Sequence, residues 1–206
     1  MPQPSLTRPK ETRRAQRRSR GQALAELGIT LSLLMVVLLG IFQVSYLIYQ
    51  QYVALNLARE GANLILRPTT QGTSFDDTAA AIRSALADPQ FDVNTRLILS
   101  VVKLGPPGGP NAAKPIISQR HAWGMPTGAS VLGDPPSASY LPGNTDYVAA
   151  QPATDTNIQA TLPNGFQINP SQPGPVYVAE IYRKRRDIFP LASAQLPDSL
   201  YSVAYF

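Results

Sequence analysis

The chain has 206 residues, a hydrophobic content of 44%, no cysteine and a single histidine, His121. The lack of cysteine excludes disulfides, thiol catalysis and thiolate metal sites, and one imidazole leaves little for histidine chemistry. The formal charge of +5 is uneven: residues 1–21 hold seven Lys/Arg against Glu11, and the remainder carries 11 basic against 12 acidic residues. Basic charge confined to a short leader, instead of spread over a folded face, argues against a nucleic-acid partner.

Taken in order, residues 1–20 are polar and Arg-rich without apolar periodicity, which predicts a disordered leader. From Leu27 to Ala58 there is no charged side chain, and the densest apolar part, Leu27 to Tyr49, is 23 residues. As a helix that is about 35 Å, enough to cross a hydrocarbon core of about 30 Å. Lys and Arg crowded before it place the leader in the cytoplasm and the C-terminal bulk outside. A cleaved secretory signal is the competing reading. The run is too long for one and leaves through Gln43, Tyr46, Tyr49, Gln50 and Tyr52 without a small-x-small site, and it is too strongly apolar for a twin-arginine signal.

Beyond the span, Val53, Leu57 and Ile65 and then Ala54, Ala58 and Ala62 recur at helical spacing until Pro68, so one helix is expected over 22–67. SFDDTAAAIRSALAD, residues 74–88, predicts a second helix, with Thr73 or Ser74 as cap, Asp76 and Asp77 at its positive end and Pro89 as its stop. TRLILSVVKL, 95–104, suits a central strand and AKPIISQRHAW, 113–123, a return strand. Residues 124–156 read as an irregular excursion and Asn164-Gly165 as a hairpin turn; PVYVAEIYRKR and SLYSVAYF read as two more strands. The expectation is an α+β fold: a basic leader over 1–21, a transmembrane and stalk helix over 22–67, and a small loop-rich outer domain over 68–206 with one further helix and an antiparallel sheet.

The sharpest constellation is Gly21-Gln22-Ala23-Leu24-Ala25-Glu26, at the cytoplasmic edge of the span. A residue without a side chain at this junction suits a membrane peptidase that must bind extended backbone. Cutting after Gly21 would free an amine on Gln22, one helical turn from Glu26, and an ammonium is the natural partner for a carboxylate at the membrane edge. A glutamate favoured only by the dipole of a first helical turn is the plainer alternative.

These residues carry a family resemblance. Arg17, Arg18 and Arg20, then RGQALAE, the long apolar run and Ala58-Arg59-Glu60-Gly61-Ala62, in this order, resemble the N-terminal module of TadE-like proteins, pilin-like components of tight-adherence (Flp-type) pilus systems. Leu27 stands where many members have Phe. The resemblance implies processing by a prepilin peptidase between Gly21 and Gln22, a role for Glu26 in setting subunit register, and work as a minor pilin or pseudopilin. It also implies a type IV pilin-like fold, residence in a bacterial inner membrane with the outer domain periplasmic or carried into a pilus, and partners among other pilin-like subunits and the inner-membrane assembly platform.

Two other readings compete: an uncleaved single-pass scaffold of an envelope assembly or secretion machine, and a surface-binding module using the Pro/Gly-rich excursion or Arg183, Lys184, Arg185 and Arg186. That basic cluster reads first as a solvated loop, and His121 as a structural or surface residue. No catalytic, metal or cofactor constellation is found, so the chain is not expected to be an enzyme.

Overall fold

A computed structural model describes residues 11–66, 75–125, 128–142, 148–164, 166–171, 174–186 and 198–206, with backbone alone for 11–20. The elements are α1 (Glu11–Leu66), α2 (Phe75–Leu86), a one-turn α3 (Phe91–Asn94), and strands β1 (Thr95–Leu104), β2 (Pro115–Gly124), β3 (Val176–Lys184) and β4 (Ser199–Tyr205), with two 3-10 turns at Ser137–Ser139 and Thr156–Ile158. The chain divides into two compact units, and the division falls within α1 between Tyr46 and Leu47.

The first unit is the N-terminal part of α1. Every residue from 21 to 42 is exposed, including Leu27, Ile29, Leu33, Val36 and Phe42. A helix that is apolar on all sides and covered on none is built for lipid or for partner helices. Thr30 and Ser32 return their hydroxyls to the carbonyls of Glu26 and Gly28, four residues back, so their polar groups are satisfied within the helix. The helix already exists at Glu11, inside the leader expected to be disordered. After Pro9 the sequence ETRRAQRRSR holds strong helix formers and no breaker, so local propensity carries the helix upstream.

The second unit is a four-stranded sheet of order β2-β1-β3-β4, antiparallel throughout. The alternation along β1 sorts its residues: Leu97, Leu99 and Val101 face the helices, while Ile98, Ser100 and Val102 face the opposite side. On the helical face, Ala54, Ala58 and Ala62 of α1 and Phe75, Ala79 and Ile82 of α2 close over Leu97, Leu99, Val101, Ala179, Ile181 and Ala204. On the other face, irregular chain supplies Leu132, Ala160 and Ile168 to cover Val102, Ile117, Val176 and Val178. Ser118 is the extra residue of a bulge in β2, between the pairs Val101–Gln119 and Val102–Ile117, and its hydroxyl bonds to the Val101 carbonyl.

All four expected strands are present, within two residues of their expected ends. The expected hairpin at Asn164 is not formed: the described residues on either side, 160–164 and 166–169, belong to no strand. Pro163 removes a ladder donor, and Ala160 and Ile168 are committed to the sheet-covering cluster instead of to each other. The expected helix cap at residues 73–74 lies outside the described residues.

The α1 stripe is made of small side chains because the helix lies close on the sheet. A Cβ at Gly61 would stand 2.7 Å from Ile82 Cδ1 and 3.4 Å from Ala179 Cβ. Gly61→Ala meets only the tip of a flexible side chain and gains helix propensity, so its unfolding free energy should stay within about 1 kcal/mol of wild type. Ala58→Leu and Gly61→Leu should each cost about 1–3 kcal/mol by overpacking. Denaturant unfolding of the full chain in detergent checks both; a tolerated leucine at either position would contradict this packing.

Candidate functional site

The segment singled out at the start of the span lies on α1, whose hydrogen-bond ladder runs unbroken through it. Gly21 has open space around it and Gln22 is exposed. Gln22 Nε2 donates to Glu26 Oε1 at 3.0 Å, so these two side chains do meet across one turn. The backbone of Arg17, Arg18 and Arg20 lies on the same helix. Among the described residues no other side chain is recorded bonding to the Glu26 carboxylate.

The second motif has a direct structural account. In Ala58-Arg59-Glu60-Gly61-Ala62, Ala58 and Ala62 are fully buried and Gly61 faces Ile82 and Ala179, while Arg59 and Glu60 point to solvent. Three small residues at i, i+3 and i+4 form the face that meets the sheet, with charges on the far side. About two turns N-terminal of this motif, α1 is fastened by polar contacts. Gln50 donates to the Arg186 carbonyl at 2.9 Å and accepts from the Arg186 amide at 3.1 Å; Gln51 donates to the Tyr201 carbonyl at 2.9 Å and the Ser202 hydroxyl at 3.2 Å.

The basic cluster is not a solvated loop. Arg186 Nη2 lies 2.8 Å from both Asp88 oxygens and Arg183 Nη2 3.6 Å from one of them, and the Asp88 side chain is only 2% exposed. Arg185 is buried, and its amide donates to the Asp198 carbonyl. Asp88, just past the C-terminus of α2, gathers these cations because two guanidinium groups offset its desolvation. Burial alone would raise its pKa; the Gln90 amide and the charges of Arg186 and Arg183 outweigh that and hold the carboxyl below its usual value. Lys184 remains exposed.

A second buried network lies under the irregular segment, and sequence reasoning missed it. Glu180 is fully buried in β3 and accepts from the Ser130 hydroxyl at 2.5 Å, the Val131 amide at 2.9 Å and the Tyr201 hydroxyl at 2.9 Å. Arg120 of β2 donates to Ser100 Oγ, the Gly133 carbonyl and Ser130 Oγ, and stands 3.5 Å from Asp134. Burial draws the Arg120 pKa down, opposed by the charges around it. Burial, the Glu180 charge and their hydrogen bond push the Tyr201 phenol far above its ordinary range, so it stays a donor. Tyr182 donates to the Ala129 carbonyl, and Gly128, at φ +119°, lies against the Tyr182 ring where a Cβ would approach within 2.9 Å. The signal in the sequence was a carboxylate on the same strand face as Val176 and Val178.

His121 stacks on Trp123 at 3.9 Å, and both reach Asp76, the indole at 3.2 Å and His121 Nδ1 at 3.8 Å. Fold separation brings together a histidine and a carboxylate that sequence distance kept apart. Asp76 thereby links the first turn of α2 to β2. No group of three or more metal-binding side chains occurs among the described residues.

The chain thus joins a long apolar N-terminal helix to a small α+β domain with a four-stranded antiparallel sheet, the C-terminal part of the helix being built into that domain's core. Residues 21–63 match the family model of TadE-like protein, so the similarity covers the helix from Gly21 through the buried alanine stripe and none of the sheet. The match begins at Gly21 and ends one residue after the buried Ala62. No curated protein and no solved structure matches the chain.

Because the folded Asp88 has the lower pKa, its ionised form stabilises the fold above the unfolded value of about 3.9. That stabilisation is lost as the pH falls through the folded value. Asp88→Asn should therefore lower stability at neutral pH and flatten the decline below about pH 4, as read from unfolding curves across pH. Glu180→Ala should cost about 3 kcal/mol or more, since it strands three donors beside a buried guanidinium; a value under about 1 kcal/mol would show that the network contributes little.

Proposed function

We propose that the chain is a minor pilin or pseudopilin of a tight-adherence pilus, made as a precursor and held in a bacterial inner membrane by its N-terminal helix. Residues 1–21 form the cytoplasmic leader, 22–67 the membrane and stalk helix, and 68–206 the outer domain. A prepilin peptidase removes the leader between Gly21 and Gln22, and the new ammonium of Gln22 takes the Glu26 carboxylate of its own or a neighbouring subunit, fixing the offset between helices. The assembly platform and other pilin-like subunits are its partners.

The observation that carries this reading is the coincidence of the family match with one continuous helix, apolar and uncovered over its first part and docked on the sheet over its second. Gly21 supports the processing step physically. The peptidase must open the helix there, and glycine weakens a helix by about 1 kcal/mol relative to alanine. The Gln22 to Glu26 contact supports the register role, because the carboxylate is within reach of position 22 before any amine exists.

A scaffold that is never cleaved would use the same helix and domain. Mass spectrometry of the protein from its native host separates the two: a mature N-terminus at Gln22 is expected, and Gly21→Leu should leave the leader attached. An intact leader on the wild-type protein would overturn the processing step. Shearing the cells should release a portion of the mature protein with the fibres, whereas a scaffold stays entirely in the membrane fraction.

A further inference from the structure

We propose that the solvent-facing side of α1 from Tyr49 to Asn63 is a docking face for a second copy of this chain, the two helices lying side by side in the same sense and joined by reciprocal ion pairs between Arg59 and Glu60. This rests on the reading of the chain as a pilin-like subunit held in a membrane, which supplies the second copy. Arg59 and Glu60 are exposed, and among the described residues neither side chain has an ion-pair or hydrogen-bond partner. Their own helix offers none, because the positions three and four residues away in either direction hold only Leu, Ala and Asn. The fold does not use them either: Ala58, Gly61 and Ala62 meet the core from the other side of the helix. Two opposite charges, adjacent in sequence, are thus left for a partner outside the chain.

The arrangement of these charges says what that partner is. Successive helix positions are about 100° apart, so Arg59 and Glu60 flank a midline on the exposed face. Near that midline lie Tyr49, Tyr52, Asn56 and Asn63. Tyr49 and Tyr52 are each 61% exposed, Asn56 is exposed and Asn63 is half-buried. When two copies run in the same sense about a two-fold axis parallel to the helices, Arg59 of each lies against Glu60 of the other. When they run in opposite senses, two-fold symmetry sets Arg59 against Arg59 and Glu60 against Glu60. The charge pattern therefore selects the common sense, which is also the sense of two chains entering from one membrane. Asn56 and Asn63, seven residues apart, then each meet their own counterpart, and an amide can both donate to and accept from its equal, which fixes the register. A helix strip about 21 Å long and about 10 Å wide covers far less than the ~800 Å² per partner of a standard interface. The face accordingly acts between chains already concentrated in a bilayer.

The absence of native cysteine allows single cysteines in the full chain, reconstituted into phospholipid vesicles and oxidised with copper phenanthroline in air. Asn56→Cys and Asn63→Cys should each cross-link to a dimer several-fold faster than Lys114→Cys, which is exposed on a different element. Adding Arg59→Glu should slow cross-linking at 56 several-fold, and adding Glu60→Arg to that variant should restore it, because the exchanged pair is again complementary. Flotation of the vesicles checks the anchor separately. Equal rates at 56 and 114 on chains that float overturn the docking face and leave the anchor standing. Cross-linking at 56 but not at 63 overturns the common sense, since opposed helices that meet at 56 hold the two 63 positions about 21 Å apart. A rate that Arg59→Glu leaves unchanged overturns the ion pairs. Chains that do not float with the vesicles take down the anchor and the docking face together.

Discussion

The close approach of α1 to the sheet is the contact on which the rest of the architecture depends. One helix has to meet two media, and it does so by changing the size of its side chains. From Leu27 to Phe42 it presents Leu, Ile, Val and Phe in every direction. From Ala54 to Ala62 its buried positions are alanine and glycine, with Leu57 half-buried beside them, so that the sheet can lie against its backbone. Large residues on that face would hold the helix off, and Leu97, Leu99 and Ile181 would lose their cover. The AREGA motif is in this light a packing device, with its charged pair turned outward.

Two buried ionic centres complete the domain, and each joins pieces distant in sequence. Asp88 holds the end of α2 to the end of β3, and Glu180 with Arg120 holds residues 129–134 to the middle of the sheet. Neither resembles a reactive site: every carboxylate oxygen in the Glu180 centre has a donor, and the phenol beside it is pushed toward its protonated form. Such centres restrict which loop conformation is compatible with a satisfied interior. They explain how a stretch rich in proline and glycine can cover one face of the sheet without regular structure.

The periodic parts of the fold were legible from sequence because hydrophobic spacing and β-branched content report directly on local geometry. The long helix, α2 and the four strands were read in this way, with β1 recognised as central from its apolar residues on both faces. What escaped was whatever depends on distant partners. Arg183 and Arg186 looked like a solvated cluster because nothing in RKRR announces an aspartate a hundred positions away. His121 looked isolated because Asp76 is on another element. Asn164-Gly165 carried a strong turn signal, but the flanking apolar residues found better cover against the sheet. The leader was read as disordered from its polar, Arg-rich composition and lack of apolar periodicity, and neither prevents a helix when its residues favour one. The spacing of Gly21, Gln22 and Glu26 was visible throughout, and the Gln22 to Glu26 contact follows from helical geometry alone.

The side-by-side lie of α1 and β3 has a mechanical consequence. Moving along the helix from Gln50 to Gly61, the partner moves from Arg186, two residues past β3, back to Ala179 within it, so helix and strand run in opposite senses between these two points of contact. A pull on the N-terminal end of the helix therefore loads the glutamine bonds and the alanine stripe together, in shear, and does not peel them one at a time. Tension entering through the N-terminal part of the helix would be shared between the glutamine bonds and the small-residue stripe.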